Sequence, residues 1–159
     1  MKNYLENIIS STLNKYIEGE KFFDELDYSL RNDEKLIKMI LEDIKEEYDY
    51  LIVSGHFGNN FKQYCKNKLN NISNKIILVN GGLRNDKKLD EFWKNYDIEN
   101  KNIIFIDDTY YSGRTKEKIK SAIIKNNGNY IKTYVFYDGC KNKCDDVFSY
   151  YRYFDHFEG

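Results

Sequence analysis

The chain contains no proline and only three cysteines, and neither sign of charge dominates it: 25 basic and 26 acidic residues leave a formal net charge of −1. Each shortage removes a class of protein. Three cysteines, an odd number behind a start (Met1-Lys2-Asn3-Tyr4-Leu5-Glu6-Asn7) with no continuous apolar segment, do not make a disulfide framework and suit a reducing compartment. The near balance of charge, spread along the chain, creates no field that would draw nucleic acid or a membrane surface. No stretch approaches the roughly 18 apolar residues of a membrane helix. A soluble, cytoplasmic protein is expected, with neither nucleic acid nor membrane among its partners. The want of proline accompanies heavy use of Lys, Asn, Ile and Tyr, a bias of AT-rich coding sequence that carries no mechanism. No repeat, linker or low-complexity tract divides the chain, and its 159 residues, 41% of them hydrophobic, suffice for one core without staples.

Hydrophobic periodicity then sets the architecture. Leu36, Ile37, Ile40, Leu41, Ile44 and Tyr48 recur at helical spacing behind Asn32 or Asp33 as N-cap, which predicts a helix over about 33–47. Tyr50-Leu51-Ile52-Val53-Ser54-Gly55 is a short apolar run stopped by glycine, the first core strand. After the loop 55–60, an amphipathic pattern over 61–69 and the apolar run 75–80 complete a βαβ unit. Residues 89–98 have the pattern of a short amphipathic helix. A third strand, 102–106, ends in Asp107-Asp108 and precedes a helix with Ile119, Ala122 and Ile123 on one face and Gly128 as its C′ residue; 130–137 is a further strand. Nearly all-apolar strands alternating with helices predict a mostly parallel central sheet flanked by helices, in one α/β domain over 1–159. Such sheets bind ligands at the carboxyl ends of their strands, which gathers the loops 54–60, 80–88, 107–115 and 137–146 on one edge.

The segment with the most chemistry is Ile103-Ile104-Phe105-Ile106-Asp107-Asp108-Thr109-Tyr110-Tyr111-Ser112-Gly113-Arg114-Thr115. A phosphate monoester needs backbone N–H donors and hydroxyls, and a loop entering a helix N-terminus presents both together with the positive end of the dipole. Ser112, Gly113, Arg114 and Thr115 can supply them. Two adjacent carboxylates suit the vicinal hydroxyls of a ribose, or a divalent ion through water. With four apolar residues, two acids, two variable residues and a hydroxyl-rich glycine loop, the segment resembles the phosphoribosyl pyrophosphate motif of type I phosphoribosyltransferases. The order of elements agrees over roughly 33–137, with a small hood implied from 1–32, from 138–159, or from both.

That resemblance implies several roles. Asp107 and Asp108 would hold the ribose hydroxyls and, with Mg²⁺ as cofactor, the metal. Thr109 and the loop Tyr111, Ser112, Gly113, Arg114 and Thr115 would cradle the 5′-phosphate. The turn after the first strand, with Gly55 and His56, would meet the pyrophosphate, although it lacks the basic residue common in relatives. A mobile loop over 80–88, with Gly81 and Gly82, would bring Arg84, Lys87 and Lys88 to the leaving group. Tyr111 stands where relatives often carry Thr, Ala or an acid that assists a purine base, and Tyr removes that acid. The implied reaction is transfer of a 5-phosphoribosyl group between its pyrophosphate and a nucleobase or related nitrogenous acceptor, a base or nucleotide being the second small-molecule partner.

Plainer readings stand beside these. Paired acids can be a solvated strand end, but the Ser-Gly-Arg-Thr flank argues against it here. A nucleoside-triphosphatase strand would need a glycine loop ending Lys-Ser or Lys-Thr, which 55–60 lacks, and a phospho-receiver would carry its acids after the first strand. His56 can be merely solvated. Cys140 and Cys144, with Cys65 or His156, could ligate zinc, yet no second close pair exists and free thiols are the reading taken. The aromatic tail Phe148, Tyr150, Tyr151, Tyr153, Phe154 and Phe157 can pack on the core, seal a homodimer interface, or stack on a base, as can Tyr4, Leu5, Ile8, Ile9, Leu13 and Tyr16 near the start. A non-catalytic phosphoribosyl or nucleotide sensor, or an interaction module with a relic loop, are the other functions the residues allow.

Overall fold

The computed structural model describes residues 2–15, 20–79 and 86–157. Three helices lead, α1 (Lys2–Lys15), α2 (Glu20–Arg31) and α3 (Glu34–Asp43), followed by β1 (Tyr50–Ser54), α4 (Gly55–Lys68), α5 (Asn70–Ser73), β2 (Ile76–Val79), α6 (Asp86–Trp93), β3 (Asn102–Tyr110), α7 (Arg114–Lys125), β4 (Asn129–Asp138), β5 (Val147–Arg152) and α8 (Tyr153–His156). The five strands form one sheet in the order β2-β1-β3-β4-β5, and every pair is parallel. The predicted α/β class and its four strands are therefore present.

The strands are apolar on both faces because helices cover both. Leu51, Val53, Ile104, Ile106, Tyr134 and Phe136 face α1 to α4, packing with Leu5, Ile9, Phe22, Leu26, Leu36, Ile40, Phe57 and Phe61. Ile52, Ile77, Ile103 and Phe105 face α6 and α7 with Leu89, Trp93, Ile119 and Ile123. The chain steps from β1 outward to β2, then crosses back past β1 to β3, so the direction of winding reverses between β1 and β3. A crevice opens at such a switch point.

Four details differ from the sequence reading. The helix expected over 33–47 stops at Asp43, with Ile44 extended (ψ 118°); Glu46 leaves the helix to accept from the Tyr134 hydroxyl and from Lys132 Nζ at 3.4 Å. Asp33 is its N-cap, accepting from Lys35 and Leu36 N–H. At the end of α7 the left-handed residue is Asn127 (φ 62°), not Gly128, whose N–H bonds Ile123 C=O at 2.9 Å while Asn127 N–H bonds Ile124 C=O at 3.0 Å, the paired bonds of a Schellman motif. The acids Asp107 and Asp108 lie inside β3, which runs on to Tyr110. Finally, part of the aromatic tail is a strand: β5 extends the sheet, with Phe148 level with Tyr134 and Tyr151 level with Tyr137.

The β4–β5 connection, residues 139–146, is shorter than the dozen or more residues usual between parallel neighbours. It is clasped at both ends. Lys116, 4% exposed, bonds Asp146 at 2.8 Å and Glu117 at 3.1 Å, with Lys120 on the other Asp146 oxygen at 3.0 Å. Arg152 donates to the Cys140 and Lys141 carbonyls at 2.9 and 2.6 Å. Cys65, Cys140 and Cys144 are free thiols. Among the described residues no helix is long and apolar enough to cross a membrane.

Candidate functional site

β1 pairs with β3 only as far as Val53 and Ile106, whereas β3 continues against β4 through Tyr110. Beyond Ile106 the strand has one open edge, and Asp107 and Asp108 sit on that overhang. There a cavity of about 580 Å³ is lined on the β1 side by Ser54, Gly55 and His56, on the β3 and α7 side by Asp107, Asp108, Ser112, Arg114, Thr115 and Lys118, and from α2 by Asp27 and Arg31.

Two helix N-termini converge on it. The expected loop at 55–60 is instead the first turn of α4, which begins directly at Gly55. That glycine has φ +66°, a conformation that costs an L side chain about 1–2 kcal/mol. α7 begins after Gly113, in the left-handed region at φ 77°. A Cβ on Gly113 would lie 2.8 Å from the Tyr110 hydroxyl oxygen, so both conformation and space require glycine there. Ser112 Oγ accepts from Arg114 N–H at 3.4 Å, and Glu117 N–H is taken by Gly113 C=O, so that of the first turn of α7 the Thr115 and Lys116 N–H groups are the ones left for an anion.

Between the two helix ends the carboxyl groups are crowded. Asp107 accepts from Asp108 N–H and Asp108 from Thr109 N–H, each at 2.9 Å. Burial, reinforced by the neighbouring Asp108 charge, holds the Asp107 carboxyl well above the ordinary carboxylate range. Burial also raises Asp108, opposed by backbone N–H donors and by the charge of Arg31. Asp27 is pushed up to about 6, by burial first and then by the Asp108 charge. A cation, or hydroxyl donors placed among these groups, would relieve the crowding. The donor set suits a metal held through water and through the ligand's own oxygens, since no described group of three acidic, His or Cys side chains could hold an ion alone.

The structure thus brings Gly55, His56, Asp107, Asp108, Ser112, Arg114 and Thr115 to one cavity. Thr109, Tyr111 and Gly113 line a smaller recess of about 170 Å³ behind the loop. Tyr111 packs its ring 4.5 Å from Phe23 and 5.9 Å from Tyr137, with its hydroxyl buried, and is not among the residues lining the main cavity. Lys87 is exposed on α6 and does not line the cavity, and Arg84 lies outside the described residues with the rest of 80–85. Asp27, Arg31 and Lys118 escape the sequence reading. Phe22, Leu26 and Leu30 form the buried stripe of α2 at i, i+4 spacing, and Asp27 and Arg31 each follow a stripe residue, on the border where a helix meets its neighbours.

The fold and site define a doubly wound, all-parallel α/β protein with a ligand crevice at its switch point. No family model matches the sequence, and no curated protein does. Among solved structures the chain is similar to UMP synthase of Leishmania donovani (11% identity, TM-score 0.49, 82% of this chain and 28% of that one). It is similar also to a hypothetical protein from Neisseria gonorrhoeae with bound ppGpp (15%, 0.49, 82% and 80%) and to HGPRT-ase from Leishmania tarentolae in complex with GMP (16%, 0.47, 81% and 77%).

Proposed function

We propose that this cavity binds phosphoribosyl pyrophosphate with Mg²⁺ and transfers the 5-phosphoribosyl group to a nitrogenous acceptor. The observation that carries the reading is the convergence of the α4 and α7 N-termini on either side of Asp107 and Asp108. Phosphates at the two ends of one ligand and a diol between them would match that arrangement. Ser112, Thr115 and the first N–H groups of α7 hold the 5′-phosphate. Asp107 and Asp108 accept from the ribose hydroxyls and would hold Mg²⁺ through water, the ion supplying positive charge for the pyrophosphate when bound. Gly55 and His56 meet the pyrophosphate at the start of α4, and Arg84 and Lys87 supply positive charge to it. No protein nucleophile is required, because an oxocarbenium-like ribose is stabilised by position and charge.

Calorimetric titration with phosphoribosyl pyrophosphate and Mg²⁺, followed by a pyrophosphate-release assay over a panel of bases, tests this. Binding with release supports transfer, and no binding refutes the site. Binding without release for any base supports a sensor, a reading favoured by the α4 N-terminus, where His56 is the one basic side chain, and by Tyr111, which turns its hydroxyl into the core.

A further inference from the structure

α2 is absent from every role assigned so far, yet it forms one wall of the cavity through Asp27 and Arg31, four residues and one helical turn apart. No described carboxylate lies within ion-pair distance of the Arg31 guanidinium, whose nearest aromatic partner is the exposed ring of Tyr28 at 5.2 Å. Its backbone is secured independently, Asn60 donating to the Arg31 carbonyl at 2.8 Å. Asp27 carries a buried oxygen with no hydrogen-bond partner. A fork of donors without a carboxylate partner and a carboxylate that bonds Thr109 but keeps one oxygen unmet stand on one helix wall and present a donor–acceptor pattern to whatever fills the space beyond Asp108.

Building on the phosphoribosyl reading above, we infer that Arg31, with Asp27 beside it, selects the acceptor by its edge, favouring an oxo-heterocycle whose ring N–H adjoins a carbonyl. The guanidinium donates to the carbonyl oxygen and the Asp27 carboxylate accepts from the N–H. An amino-heterocycle offers an NH₂ where the carbonyl stood and a bare ring nitrogen where the N–H stood. Donor then faces donor and acceptor faces acceptor, and both side chains stay unsatisfied in the cavity.

The nucleoside monophosphates provide the test, because IMP and AMP differ at this edge while sharing one ribose 5-phosphate, as do UMP and CMP. Dissociation constants of the full chain are measured for these four and for ribose 5-phosphate. The expected result is at least about tenfold tighter binding within one pair for the oxo member. Arg31→Gln abolishes that ratio and Arg31→Lys restores part of it, ribose 5-phosphate affinity being measured for each variant so that any change at the sugar-phosphate end, common to both members of a pair, cancels from the ratio. Equal affinity within both pairs, or a ratio that survives Arg31→Gln, overturns the inference and leaves the sugar-phosphate site standing. Failure of ribose 5-phosphate itself to bind refutes the site and this inference with it.

Discussion

Gly113 is the residue on which the α7 end of the site turns, and replacing it with alanine has a calculable cost. Its φ of 77° lies where a Cβ meets the following carbonyl, a penalty of about 1–2 kcal/mol. The added carbon would also stand 2.8 Å from the Tyr110 hydroxyl oxygen and 3.2–3.3 Å from two ring carbons. Tyr110 is 7% exposed, with its hydroxyl within 3.2 Å of Cys144 Sγ, so the ring has little room to retreat, and overpacking of this kind costs about 1–3 kcal/mol. Together the terms give roughly 2–5 kcal/mol, or a fall in Tm of about 5–15 °C for a domain of this size. Thermal unfolding followed by circular dichroism measures it. Tyr110→Phe removes the closest contact, so Gly113→Ala in that background should cost less than in the parent, the shortfall reporting the steric share. A Tm within about 2 °C of the parent for Gly113→Ala would show that the α7 N-terminus does not need this backbone, and the phosphate cradle built on it would fall.

Asp108→Asn and Thr115→Ala should each weaken ribose 5-phosphate binding about tenfold or more by calorimetry while leaving the circular dichroism spectrum unchanged; unaltered affinity in both would remove the diol and phosphate assignments. Asp27→Asn should raise Tm at pH 7.5. The folded carboxyl titrates near 6, above its unfolded value, so its burial is free of penalty below the unfolded pKa, costs more as pH rises through that window, and reaches its full cost above about 6; the advantage of Asn should vanish near pH 3.5, and a gain independent of pH would contradict the cause given. Asp146→Asn leaves the buried Lys116 ammonium with Glu117 as its remaining charged partner and should destabilise by about 2 kcal/mol in urea unfolding. Because Asp146 is held below its ordinary pKa, chiefly against burial by hydrogen bonds from Lys116 and Lys120, the parent should lose this contribution as pH falls through the folded value, and the variant should show no such loss.

The strands β1 to β4 were readable because parallel strands covered on both faces are written as continuous apolar runs, and the Asp107–Thr115 segment because its chemistry is contiguous. β5 was harder. Val147–Arg152 lies at the sheet edge with Phe148 exposed and Tyr151 buried, so its aromatic residues read equally well as a tail. The extent of β3 was hidden for a related reason, since Asp107 to Tyr110 pair with β4 alone and need not be apolar. Asp27 and Arg31 were illegible in principle: on an amphipathic helix such residues look like a solvated face until the partner surface is known. The N-cap at Asp33 was local and visible, and so was the turn after α7, except that Asn127 rather than its neighbouring glycine takes the left-handed position.

α1 packs against β5, bringing Leu5 and Ile9 into the same core as Tyr137 and Tyr151. No helix joins β4 to β5, so the face that a crossover helix would normally shelter is closed by a helix made at the opposite end of the chain. The consequence is temporal. During synthesis α2 can settle on α4 and β3 as soon as those are made, but α1, apart from its contact with α2, must wait until the last strand exists, and the contact that completes the core spans more than a hundred residues. Folding of this chain should therefore be slowest at its final step, the docking of α1 on β5, with the crevice between β1 and β3 and its α2 wall formed before it.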